Sequence, residues 1–159
     1  MKKNNIDFKI VNDPDQKSEI CFNIINDLDN WFGNEDANRE YARGVREEYF
    51  LSVKIGDIPI GFISVKDHNP FTGEIYVLGI LEEFHNQGIG KKLIGLASEQ
   101  LIKDNKKFLT VKTLSGSNPD NYYKKTRSFY KAIGFYPLEE MPEIWSEEEP
   151  CLFMVKVLF

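Results

Sequence analysis

Over residues 6–11 apolar and polar side chains alternate with the period of a half-buried strand, and the run closes at the turn residues Asn12-Asp13-Pro14. Ile20, Ile24, Ile25 and Leu28 then recur at helical spacing, and after the interruption Trp31-Phe32-Gly33 a second helix is predicted from about Asn34 to Glu47. The apolar runs Phe50–Ile55 and Ile58–Val65 flank Gly56-Asp57, the signature of a hairpin, and Glu74–Leu81 reads as a further strand. From Gly88 to Asp104, Ile89, Leu93, Ile94, Ala97, Leu101 and Ile102 fall on one face of a helix and leave Lys91, Lys92, Glu99 and Lys103 to solvent. Phe108–Val111 predicts a strand, Tyr122–Ala132 a helix, Phe135–Leu138 a strand and Cys151–Leu158 a closing strand. The order β-α-α-β-β-β-α-β-α-β-β implies an α/β fold, a central mixed sheet with helices on both faces.

Composition narrows the function. A chain of 159 residues with 42% apolar and 28% charged residues suits one globular domain, taken as 1–159. A net charge of -5 argues against nucleic-acid binding, which needs Lys and Arg gathered on one face, and favours a basic or neutral partner. Cys21, Cys151, His68 and His85 are the only cysteines and histidines and show no zinc spacing, so no metal is expected and both cysteines read as core. No stretch approaches the roughly 20 apolar residues of a membrane span, and no signal-peptide or lipidation pattern is seen; the chain reads as cytoplasmic. The apolar last strand offers an edge that a second copy could pair with in a homodimer.

The candidate chemistry begins at Phe84-His85-Asn86-Gln87-Gly88-Ile89-Gly90-Lys91, which joins a strand to the long helix. Unpaired backbone N–H groups and the positive end of the helix dipole meet there, a combination that favours an anion. Two glycines also make a tight turn and nothing more. The P-loop pattern is absent, because one residue separates the glycines, and the Rossmann fingerprint lacks its third glycine, Leu93 standing there.

The run Leu78-Gly79-Ile80-Leu81-Glu82-Glu83-Phe84-His85-Asn86-Gln87-Gly88-Ile89-Gly90 resembles the acetyl-CoA loop of the GCN5-related N-acetyltransferases, whose core is [QR]-x-x-G-x-[GA]. The resemblance implies that the backbone of Leu78 and Ile80 pairs with pantetheine like an added strand and that Gln87, Gly88, Gly90 and Lys91 cradle the pyrophosphate. His85 replaces the family's usual Gln or Arg, and Glu82 a common proline. Farther on, Ser128-Phe129-Tyr130-Lys131-Ala132-Ile133-Gly134-Phe135 resembles the family's helix-to-strand junction, with Gly134 as a helix C-terminal cap. The resemblance implies that the Tyr130 hydroxyl faces the CoA sulfur and assists the leaving thiolate; the alternative is that Tyr130 packs in the core beside Phe129 and Ile133. Tyr123 stands where family members often place a cofactor-touching asparagine, for which Asn118 or Asn121 would have to substitute.

An ammonium carries no lone pair, so an amine acceptor must lose a proton before it attacks a thioester. Glu74, counted back from Gly88, matches the catalytic glutamate of the histone-acetylating branch of the family; it reads equally as a strand-edge glutamate in solvent, with water taking the proton. His85 is the weaker candidate base. Trp31, Phe32 and Trp145 are expected around the acceptor pocket, and the glutamates near Trp145 as a solvated acidic loop. The expected activity is transfer of an acetyl group from acetyl-CoA, the cosubstrate, to a primary amine by direct attack. The alternatives are a non-catalytic acyl-CoA-binding or sensing module and an interaction domain that binds no CoA.

Overall fold

The computed structural model describes residues 5–115 and 121–159. The elements are β1 (Ile6–Ile10), α1 (Pro14–Asn26), α2 (Glu35–Gly44) with a short 3-10 turn (Val45–Glu47), β2 (Tyr49–Ile55), β3 (Ile58–Asn69) and β4 (Thr72–Ile80). A 3-10 turn (Glu82–Phe84) leads into α3 (Ile89–Lys103), followed by β5 (Phe108–Leu114), α4 (Asn121–Ala132), β6 (Tyr136–Met141) and β7 (Cys151–Val157). The order of strands and helices is the one that the apolar spacing predicts. Asn118 lies outside the described residues.

The strands form one mixed sheet in the order β1-β2-β3-β4-β5-β7-β6. β4 and β5 run parallel, with Thr72–Ile75 opposite Phe108–Val111, while β1/β2, β2/β3, β5/β7 and β6/β7 are antiparallel. This order corrects one expectation. β7 pairs along its whole length with β5 on one side and over Cys151–Val155 with β6 on the other, so it is an inner strand and not an edge open to a second copy. The outermost strands are β1 and β6.

The chain gathers into two compact units. The first comprises the described residues up to Lys66 with Tyr76–Gln100. Its core is built by Ile20, Cys21, Ile24 and Ile25 of α1, Leu28, Val45, Phe50, Phe62 and Val77, all buried. Phe50 and Phe62 are fully buried and stack with ring centroids 5.0 Å apart. Gly79 makes close packing possible: a Cβ there would stand 3.1 Å from a Phe62 ring carbon and 3.2 Å from Ile24. Side-chain caps begin both N-terminal helices, Asp13 accepting from the Asp15 N–H at 3.2 Å and Asn34 from the Ala37 N–H at 2.9 Å. Asn38, buried on α2, donates its amide to Asn26 and to the Phe32 carbonyl, each at 2.9 Å, and so fixes the loop that carries Trp31 and Phe32.

The second unit comprises Asp67–Ile75 and the described residues from Leu101 to Phe159. Leu109 and Val111 of β5, Tyr130 of α4, Phe135, and Cys151 and Met154 of β7 are buried in it. Gly134 takes φ 103 and donates to the Lys131 carbonyl at 3.2 Å, as a helix C-terminal cap requires. Ile102, expected on the buried face of α3, is 39% exposed, because it lies in the last turn beside Lys103, where the helix gives way to Asp104-Asn105. The strand after Gly134 begins one residue later than expected, since Phe135 turns inward and donates its N–H to the Tyr130 carbonyl.

Truncating Phe62 to Ala removes half of the stacked pair under Gly79. We expect a loss of about 3–5 kcal/mol in urea unfolding, with the slope of the transition unchanged.

Candidate active site

In the first unit the glycine segment adopts the geometry that anion binding needs. Gly88 takes φ 79, with open space where a side chain would stand, and its carbonyl accepts the first helical bond, from the Lys92 N–H at 3.1 Å. The N–H groups of Ile89, Gly90 and Lys91 therefore have no carbonyl one turn earlier in the helix, and Lys91 is exposed beside them. Asn86, at φ 62, is also left-handed, which bends the chain sharply before the helix starts. The side chain of Gln87 is exposed and donates to the Glu83 carbonyl at 3.3 Å. This open, positively polarised helix start fits the pyrophosphate of a CoA thioester.

Leu78 and Ile80 lie half-buried in β4. The Ile80 carbonyl already accepts from His85 Nε2 at 2.6 Å, so a carbonyl expected to face a ligand has an internal partner. The imidazole of His85 also meets the edge of the Trp31 indole, with centroids 5.3 Å apart. Trp31 is thus brought to the glycine loop through His85. Phe32 instead packs edge-on to Tyr41 at 5.9 Å against the core.

In the second unit Glu74 is buried, with 7% of its side chain exposed, which overturns the reading of a solvent-facing edge residue. Its carboxylate meets His68 Nε2 and the Lys112 ammonium, the latter at 3.3 Å. Neither His68 nor Lys112 is marked by local sequence. His68 lies in β3, Glu74 in β4 and Lys112 in β5, and only strand pairing assembles them.

Tyr130 is buried, with its ring edge-on to Phe135 at 5.3 Å and tilted to Phe129 at 5.4 Å. Burial, reinforced by Tyr123, pushes its phenol far above the ordinary tyrosine range. Such a hydroxyl is a permanent hydrogen-bond donor at working pH. Trp145 is 43% exposed in the stretch between β6 and β7, where Glu147, Glu148 and Glu149 are exposed as well. Cys21 and Cys151 are fully buried free thiols, and burial pushes Cys21 up to about 12. Among the described residues no group of His, Cys, Asp and Glu is arranged to hold a metal, and no helix is long and apolar enough to cross a membrane.

Comparison with known proteins agrees with this geometry. The family model for the acetyltransferase (GNAT) family matches residues 18–135. A solved GNAT-family structure from Desulfovibrio desulfuricans superposes with a TM-score of 0.82 at 14% identity, over 98% of this chain and all of that one. A GNAT family acetyltransferase from Elizabethkingia anophelis, solved with acetyl-CoA bound, superposes at 0.73 and 17% identity over 98% of this chain and all of that one. At such identities these two likenesses speak for the fold. A mycothiol acetyltransferase from Corynebacterium efficiens is 32% identical over 72 residues, which is 45% of this chain and 24% of that protein. The aligned segment thus spans about a quarter of that relative's length. Fold and family model converge on one class, the acetyltransferases. The chain belongs to the GNAT family of acetyltransferases.

The folded Tyr130 phenol holds its proton above the unfolded value near 10, so its contribution to stability is complete below about pH 10 and is lost as pH rises beyond. In chemical unfolding between pH 9 and 11, we expect stability to decline less steeply in Tyr130→Phe than in the wild type.

Proposed function

We propose that this chain, acting as one catalytic domain, transfers the acetyl group of acetyl-CoA to a primary amine by direct attack, with no covalent enzyme intermediate. The observation that carries the reading is the open, left-handed Gly88 turn at the head of α3, directly after β4, in a chain of the GNAT family. The cosubstrate supplies an activated thioester carbonyl and a thiolate leaving group. The backbone N–H groups of residues 88–91 and the Lys91 ammonium hold its pyrophosphate, and the β4 backbone around Leu78 orients the pantetheine arm.

Tyr130 assists the leaving group. A thiol ionises near 8.5, well below the raised phenol, so proton transfer from Tyr130 to the thiolate is uphill and the hydroxyl acts by donating a hydrogen bond. Glu74 belongs to the machinery that receives the amine proton. The net charge of -5 and the exposed glutamates beside Trp145 favour a cationic amine as acceptor. The mycothiol acetyltransferase relative makes a small-molecule amine a fitting first class to screen.

Calorimetric titration with acetyl-CoA and with CoA tests the loop. We expect saturable binding by the wild type, weakened at least about tenfold in Lys91→Glu, a loss of about 1.4 kcal/mol, and abolished in Gly90→Glu. Folding of both variants is checked by circular dichroism, and a folded wild type that binds neither ligand overturns the reading. In thiol-release assays with a panel of primary amines, Tyr130→Phe is expected to lower kcat by about 10²–10³ while acetyl-CoA affinity holds. Unchanged turnover in that variant would make Tyr130 a packing residue.

A further inference from the structure

Resting on the acetyltransferase reading above, we propose that His68 takes the proton from the acceptor amine, and that Glu74 is a positioning residue that fixes the tautomer of His68. Glu74 is poorly placed to meet the amine itself. Its side chain is 7% exposed and its oxygens are engaged, one with His68 Nε2 and both with the Lys112 ammonium at 3.3 Å. His68, by contrast, has 37% of its side chain exposed. The Lys112 side chain is 32% exposed as well, but an ammonium has no lone pair to take a proton, so the solvent-facing acceptor of the cluster is the imidazole.

The tautomer follows from donor and acceptor chemistry. An ionised carboxylate only accepts hydrogen bonds, so the proton between Glu74 and His68 belongs to Nε2, which leaves the Nδ1 lone pair free to accept another. Lys112 supplies the countercharge that a buried carboxylate requires, and its ammonium lies 5.5 Å from the centre of the Phe153 ring. An imidazole so held is the side chain best suited to take a proton near neutral pH and to release it afterwards.

The position in the fold suits this task. The parallel ladder of β4 and β5 ends at Ile75 opposite Val111, one residue beyond Glu74 and one before Lys112. Beyond that point both strands continue without pairing to one another. Other charged and titratable groups nearby are the Asp67–Lys106 pair, bonded at 2.7 Å, and the Cys151 thiol. Burial raises Cys151, Lys112 lowers it, and Glu74 and Glu143 raise it, so it sits in the same electrostatic cluster.

The step balances. The ammonium first gives one proton to His68 Nδ1, which passes it on to water. The freed lone pair then forms the bond to the thioester carbonyl carbon, and the second proton shed by the attacking nitrogen passes to His68 Nδ1. The C–S bond breaks with its electron pair going to sulfur, and the imidazolium, stabilised by Glu74, returns its proton to the thiolate or to water.

Two measurements on the full chain decide the matter. His68 and His85 are the only histidines, so nitrogen NMR in a His85→Gln background reports His68 alone. We expect the Nε2–H tautomer, and a mixture once Glu74→Gln presents an amide that donates or accepts; an Nδ1–H tautomer in the parent overturns the proposal. With an amine that the wild type acetylates, His68→Gln should lower kcat by about 10²–10⁴ with acetyl-CoA affinity unchanged. Glu74→Gln should lower it less and shift the acid limb of the pH profile, which a merely structural ion pair would not do. Full turnover in His68→Gln overturns this inference and leaves the acetyltransferase reading intact. A wild type that binds no acetyl-CoA or acetylates no amine removes both.

Discussion

The parallel pairing of β4 with β5 joins only four residues of each strand, Thr72–Ile75 and Phe108–Val111, although both strands continue beyond it. Backbone N–H and C=O groups must find partners somewhere. β7 serves the other edge of β5, where its register covers Phe108–Leu114 in full, and so does not replace β4 beyond Val111. The short ladder places Glu74 and Lys112 at its end, where a carboxylate and an ammonium neutralise one another in a largely buried setting. It also leaves β4 to run on as a strand to Ile80 and into the turn that carries Gly88. The Gly88 turn and the pairing of Glu74 thus both depend on the course of one strand, β4.

Much of this was legible in the sequence, because helices and strands declare themselves by period. Ile20, Ile24 and Ile25 mark α1, and Leu93, Ile94 and Ala97 mark α3, by spacing alone; all are buried. The Gly88 turn was legible for a different reason, since few contexts other than a sharp strand-to-helix connection call for two glycines so placed. The His68–Glu74–Lys112 cluster was not, because its members lie on three strands and nothing local distinguishes a glutamate that meets a lysine 38 positions away from one in solvent. Strand order was equally hidden: an apolar terminal strand looks the same at an edge as it does between two neighbours, which is where β7 lies.

The Tyr130 hydroxyl and the Glu74 carboxyl, both singled out from sequence, are buried, a setting that demands a group either uncharged or paired. For Tyr130 loss of water favours the neutral phenol, which keeps a donor available at every working pH. For Glu74 loss of water would disfavour the anion, and the structure answers with Lys112 and His68. The phenol meets that demand by keeping its proton and the carboxylate by pairing.

The rims of the sheet carry their own protection. β6, at one end, contains Pro137, which has no N–H to offer a newcomer, and its register with β7 slips between Pro137 and Glu139, just before the adjacent charges of Glu139 and Glu140. Tyr136 and Leu138 are widely exposed on this strand, so the apolar surface that would make it adhesive is present. A missing amide, an irregular pleat and paired negative charge make that surface a poor template for another chain. The β6 edge therefore resists the addition of a further strand, the route from a crowded solution of folded molecules to fibrous aggregate.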